Sequence, residues 1–176
     1  MSKLLPRVLA LLAVMCLAGV AWTPSSDARA ERSLIEATDN LRAETWRLQR
    51  LMGRSRTPSA FSERRTVSAR YRVWVLRLWR ERAVRARRAA ARPPHRSAWL
   101  CLQRHEGRWN DPHAPYYGGL QMDITFQRAY GRDLLRQKGT ADRWTPLEQM
   151  WVAERAIRSG RGFWPWPNTA RMCGLL

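Results

Sequence analysis

Lysine is almost missing from this chain: of 32 basic residues, all but Lys3 and Lys138 are arginine. Acids are scarce as well, 14 in 176 residues, and the formal charge is +18. There are only three histidines. His105-Glu106 would open the helical zinc motif, but that motif needs a second His three residues after the acid, where Trp109 stands. His95 and His113 lie in Pro-rich loops without ligand spacing, so no metal is expected. No Gly-rich phosphate loop follows a strand-like run, so nucleotide binding has no support and no cofactor is expected. Period-two alternation is nearly absent, which argues against a sheet-based fold. Beyond Trp22 no stretch is long and apolar enough to span a membrane.

What is present is unevenly placed. Lys3 and Arg7, the apolar run Val8 to Trp22 and the small-x-small triplet Ala28-Arg29-Ala30 read as a secretory signal peptide over residues 1–30. The apolar run is about 15 residues, shorter than the roughly 20 of a spanning helix, so an uncleaved anchor is the weaker reading. Cys16 follows Met15 rather than a small residue and does not read as a lipid attachment site. The expected location is therefore outside the cell, secreted or in the wall, with no stable membrane span after cleavage.

Residues 31–92 read as an Arg-rich helical arm; Glu31 to Arg96 carries 18 Arg against 6 acids. Leu34, Leu41 and Leu48 fall at heptad spacing with Thr38, Thr45 and Met52 between them, predicting a helix to Met52. Gly53 to Ala60 is rich in turn formers. A second helix is predicted over Phe61 to Ala91, with Val67, Tyr71, Trp74 and Leu78 on its packing face and Trp79 beside them. The two are read as an antiparallel helical hairpin. Consecutive prolines then end the pattern, and residues 93–96 read as a linker. An arm this basic is drawn to polyanions: nucleic acid, anionic lipid headgroups or anionic wall polymers. Export makes nucleic acid the minor option. That leaves anionic wall polymers or another wall protein as partners, against a plain solvated spacer.

The chemistry lies in residues 97–176. A short helix is predicted from an N-cap at Ser97, apolar at Trp99, Leu100 and Leu102, ending at Glu106 before Gly107. A loop rich in Asn, Asp, Pro, Gly and aromatics follows. A partly desolvated carboxylic acid at a helix end keeps a proton for a leaving oxygen, and aromatic faces pack on sugar rings. Further helices are predicted at Ile124–Tyr130, at Asp133–Lys138 and from Thr145 to about Ser159, the last opened by Thr145, Pro146 and Glu148. Leu147, Met150, Trp151 and Ile157 should face inward. Cys101 and Cys173 are an even pair in an exported chain, which reads as a disulfide, the alternative being two buried free thiols.

Several runs here match one family: the Cys101-to-Glu106 segment before Trp109, Tyr116-Tyr117-Gly118-Gly119-Leu120-Gln121, Val152-Ala153-Glu154-Arg155, and Gly162-Phe163-Trp164-Pro165 followed by Cys173. On these residues the segment Trp99–Cys173 resembles the catalytic domain of the resuscitation-promoting factors and related actinobacterial transglycosylase-like proteins. The resemblance covers nearly all of the last 80 or so residues and none of the first 96. It implies a mainly α fold with a small lysozyme-like domain behind the basic arm. It implies cleavage of the β-1,4 bond between N-acetylmuramic acid and N-acetylglucosamine in peptidoglycan glycan strands. Glu106 would be the general acid and Asp123 a supporting carboxylate, with Asp111 more simply a turn former. Trp109, Tyr116, Tyr117, Gln121 and Trp164 would shape the sugar groove. The family also bridges its helix to its tail, but its cysteine usually stands immediately before the acid, whereas Cys101 stands five positions earlier. Ser159 replaces a common Gln, a contact Arg161 would have to supply, and the tail between Trp164 and Cys173 is longer. The alternative function is a wall-binding or signalling module with little turnover.

Overall fold

The computed structural model describes residues 26–176, so most of the expected signal peptide, Cys16 included, lies outside the described residues. The described chain is mainly α-helical: α1 (Ser26–Leu51), α2 (Phe61–Arg65), α3 (Ala69–Ala90), α4 (Arg96–Glu106), α5 (Ile124–Tyr130), α6 (Arg132–Lys138), α7 (Pro146–Ala156) and α8 (Pro167–Met172). A two-residue ladder joins β1 (Tyr116–Tyr117) to β2 (Met122–Asp123), with Tyr116 opposite Asp123. Helix α1 includes residues 26–30, ahead of the expected cleavage point after Ala30.

The arm is a helix pair, but not a hairpin. Glu31 of α1 pairs with Arg72 of α3 (2.5 Å), Glu44 pairs with Arg87, and Leu48 and Met52 cluster with Ala86 and Ala90. Residue numbers rise together along the contact, so α1 and α3 run parallel. The connection, residues 52–68, makes this feasible: it need only return along the ~33 Å of α3. It is tied down on the way. Trp46 Nε1 donates to Thr57 O (2.8 Å), Thr57 exchanges two hydrogen bonds with Gln49, Trp79 Nε1 donates to Glu63 (3.0 Å), and Arg72 Nε donates to Thr66 O (3.0 Å).

The predicted packing face of the second helix is also wrong. Val75, Trp79, Ala83, Ala86 and Ala90 are the buried positions of α3, while Val67 and Trp74 are exposed and Tyr71 and Leu78 half-buried. The three alanines let α1 approach closely. On α1 the buried positions are Thr38, Arg42, Thr45 and Leu48, with Leu34 and Leu41 only half-covered. Both Thr hydroxyls donate to the carbonyl four residues back, Leu34 O at 2.8 Å and Leu41 O at 2.7 Å, so they enter the seam already paired. Trp79 is fully buried, edge-on to Trp46, with the guanidinium carbons of Arg42 and Arg82 5.1 and 4.6 Å from its centroid. Cation–π contact and the Asp39 carboxylate hold Arg42 in a place that an unpaired cation would not occupy.

The segment read as a linker is an anchored corner. Pro93 is buried, and His95 donates its backbone N–H to the carboxylate of Glu154 (2.8 Å). Helix α4 accordingly starts at Arg96 with His95 at its N-cap rather than Ser97. Beyond it, Trp99, Leu102, Leu120, Met122, Phe126, Trp144, Met150, Val152, Trp166 and Ala170 form the core on which α4, α5, α7 and α8 converge. Met150 faces this core and Leu147 and Ile157 pack at its edge, but Trp151 faces the arm: its indole donates to Ala90 O (2.7 Å). Helix α7 opens with the predicted capping box of Thr145 and Glu148, with Pro146 inside. It ends at Ala156, earlier than predicted, and runs on as a wide turn over Ile157–Arg161 that Gly160 breaks at φ 88°. Helix α8 was not predicted; the tail there read only as a long departure. Cys101 and Cys173 form a disulfide, joining α4 to the residue after α8. Closing that loop is worth on the order of 4 kcal/mol.

Candidate active site

Glu106 is the last residue of α4, as predicted, with Gly107 as C-cap. It is half-buried, and its Oε1 accepts the Thr169 hydroxyl at 2.5 Å. Three features place it. The Cys101–Cys173 bond ties the middle of α4 to the tail. Glu154, 1% exposed, accepts Trp99 Nε1 and the His95 N–H (both 2.8 Å), with His95 Nδ1 3.0 Å from its other oxygen, and so fixes the first turn of α4. Gln103 Nε2 donates to Gly107 O (2.8 Å), closing the last turn.

An open groove of about 290 Å³ lies beside this helix end, lined by Tyr116, Gln121, Met122, Asp123, Thr125, Phe126, Arg161, Pro165 and Trp166. Glu106 is next to the lining rather than in it. Gln121 makes the connection on one side, since a Cβ on Gly107 would fall 3.1 Å from Gln121 Nε2. On the other side Trp166, three residues before Thr169, shares the short helix α8 with it as its N-cap.

The candidate residues separate into three groups. Tyr116 (50% exposed) and Trp164 (64% exposed) present free ring surface. Trp109 and Tyr117 are half-buried against the core, and the Trp109 carbonyl accepts from the buried amide of Gln149 (2.7 Å). Gln121 Nε2 donates to Asp111 Oδ2 (2.9 Å) and to Gly118 O (3.0 Å). Asp123 lines the groove, and its Oδ1 caps α5 by accepting the Phe126 N–H at 2.6 Å. Asp111, read as a turn former, is the carboxylate that meets Gln121 and Gly107. His113, through ring and backbone, and the Gln121 amide hold Asp111 below the usual carboxylate range. Ser159 hydrogen-bonds Tyr130 and Ala156 O outside the groove, while Arg161 lines it.

Two glycines explain the shape of the Tyr-Tyr-Gly-Gly-Leu-Gln run. Gly118 sits at φ 73°, and a Cβ there would meet Gln149 Oε1 at 2.6 Å; one on Gly119 would strike the Trp109 ring at 2.8 Å. The turn therefore packs directly on Trp109 and on α7. Among the described residues, Cys101, His105 and Cys173 bring possible metal-ligand atoms within 4.8 Å, but the two sulfurs are bonded to each other.

Sequence reasoning missed Thr169, whose helix it did not anticipate, and the positioning role of Glu154. The second had a signal in the sequence: one acid, next to Arg155, inside the apolar run Met150–Ala156. No family model, no curated protein and no solved structure matches this chain.

Proposed function

We propose that this chain is an exported peptidoglycan-cleaving enzyme with a lysozyme-like catalytic half, acting on the β-1,4 bond between N-acetylmuramic acid and N-acetylglucosamine. The observation that carries the reading is a half-buried carboxyl held by Thr169 at a helix end, beside a groove with aromatic and polar walls. Glu106 protonates the glycosidic oxygen as the bond breaks, and positive charge develops on the muramic acid ring. The resulting Glu106 carboxylate then takes a proton, from water or from the 6-hydroxyl of the same ring. The first yields a hydrolysed end and the second a 1,6-anhydro sugar. Tyr116 and Trp164 supply stacking surface, while Gln121 and Arg161 supply hydrogen bonds to substrate. Asp111 and Asp123 are the two carboxylates available to support the charge.

The test is mass spectrometry of soluble fragments released from purified wall glycan by the full chain. Glu106→Gln should lower release by roughly two to four orders of magnitude, the range for losing an acid–base group. Equal release by parent and variant would remove Glu106 from the chemistry. Wall binding without release by the parent would favour a binding module.

A further inference from the structure

Helix α3 has two apolar faces, and the arm uses one. The inner face holds Val75, Trp79, Ala83, Ala86 and Ala90. The outer face carries Arg70, Val73, Trp74, Arg77 and Arg80 at helical spacing, all exposed. Trp74 is 48% exposed and stacks on Tyr71, with centroids 5.2 Å apart. Val67, just ahead of the helix, is 90% exposed. Val67, Tyr71, Val73 and Trp74 are clustered rather than scattered, and a clustered exposed apolar patch rimmed by polar residues marks an interaction surface.

We propose that this outer face of α3 docks on an anionic lipid surface. Charge complementarity chooses the partner's sign: Arg64 to Arg80 holds six Arg and no acid. Among the described residues, Arg70, Arg77 and Arg80 make no ion pair. The side chains choose lipid over sugar or polymer. Aliphatic Val67 and Val73 offer nothing to a hydroxyl-rich glycan, whereas Val and Trp beside Arg suit the boundary between headgroups and acyl chains. Position agrees. The Glu31–Arg72 pair puts the start of α1 at this same end, away from the α7 contact. The proposed surface therefore lies at the end of the arm remote from the α7 joint. The inference does not depend on Glu106 or on glycan cleavage.

The experiment is co-flotation of the full chain with vesicles of mixed phosphatidylglycerol and phosphatidylcholine, against pure phosphatidylcholine. All forms carry Leu11→Gln and Leu12→Gln, so that the N-terminal run does not dominate partition. The otherwise unchanged chain should prefer the anionic vesicles. Arg70→Gln with Arg77→Gln should weaken that binding roughly thirty-fold, from about 1 kcal/mol per basic residue at an anionic surface. Val73→Ser with Trp74→Ser should weaken it roughly tenfold and leave its salt dependence intact. All four side chains are exposed, and circular dichroism checks that helicity is kept. The proposal is overturned if neutral and anionic vesicles bind alike, or if the apolar pair of substitutions has no effect. Equal or tighter binding to soluble polyphosphate, competing fully with vesicles, would also overturn it in favour of an anionic polymer.

Discussion

Thr169 and Glu106 stand 63 positions apart, yet their side chains share a 2.5 Å hydrogen bond. Thr169→Val keeps the shape and removes the donor, so the carboxyl is no longer aimed. Glycan cleavage should drop about tenfold, the scale of one hydrogen bond to a charged group, and by less than Glu106→Gln. Steady-state rates should show the loss in kcat rather than KM, because Thr169 touches the acid and does not line the groove; a loss confined to KM would instead make it a substrate contact. Gly119 tests packing rather than chemistry. A Cβ there lands 2.8 Å from the Trp109 ring and 2.9 Å from Gln103 Cγ, and both are wedged. Gly119→Ala should cost about 1–3 kcal/mol in urea unfolding, as overpacking does. Glu106 and the glycine run were legible because they are punctuated locally, by a helix end and a turn. Thr169 was not, because its partner is brought by the fold.

At the scale of elements, α7 carries the clearest local grammar. Thr145, Pro146 and Glu148 announce its start, and the structure has the full capping box. Glu148 also receives Lys138 Nζ at 2.7 and 2.8 Å. Burial pushes its carboxyl up, but Lys138 and the Thr145 N–H outweigh burial and hold it below the usual carboxylate range. With the folded-state value depressed, this contribution is complete above the unfolded value and is lost as pH falls through the folded one. Glu148→Gln preserves the cap geometry and removes the charge. Stability should fall by about 1 kcal/mol at neutral pH, since Lys138 is partly in water, and the two proteins should converge in acid, once pH has fallen through the depressed folded-state value. Parallel urea titrations at both pH values check this; a constant difference would contradict it. Helix existence was legible in this way at α5, α6 and α7. Helix direction and facing were not. Heptad spacing marks apolar stripes, but α3 has two, and a residue pattern carries no sign for parallel or antiparallel. The 52–68 return, pinned by Thr57 and Glu63, decides both.

At the scale of the molecule, α7 joins the two halves. Its Trp151 side chain packs with Leu48, Met52, Ala86 and Ala90 of the arm, while Met150, Val152 and Ala153 on the same helix belong to the C-terminal core. Arg155 adds donors to Arg50 O (3.1 Å) and Leu51 O (2.9 Å) across the boundary and to Tyr130 O within the C-terminal half. Arm and C-terminal half should therefore unfold as one unit. Trp151→Ala removes the largest side chain of the joint and leaves Ala90 O without its donor, at a cost of about 3–5 kcal/mol for a buried Trp. The loss should be uneven. The C-terminal half keeps its own core and the Cys101–Cys173 bond, whereas the arm keeps a seam of alanines, two threonines and one caged tryptophan. Amide hydrogen exchange should show α1 and α3 losing protection well before α4 and α5, and thermal unfolding should split into two transitions. Equal loss of protection in all four helices would mean that the joint is spread over the whole boundary, with Arg155 and the Pro93–His95 corner carrying as much of it as Trp151.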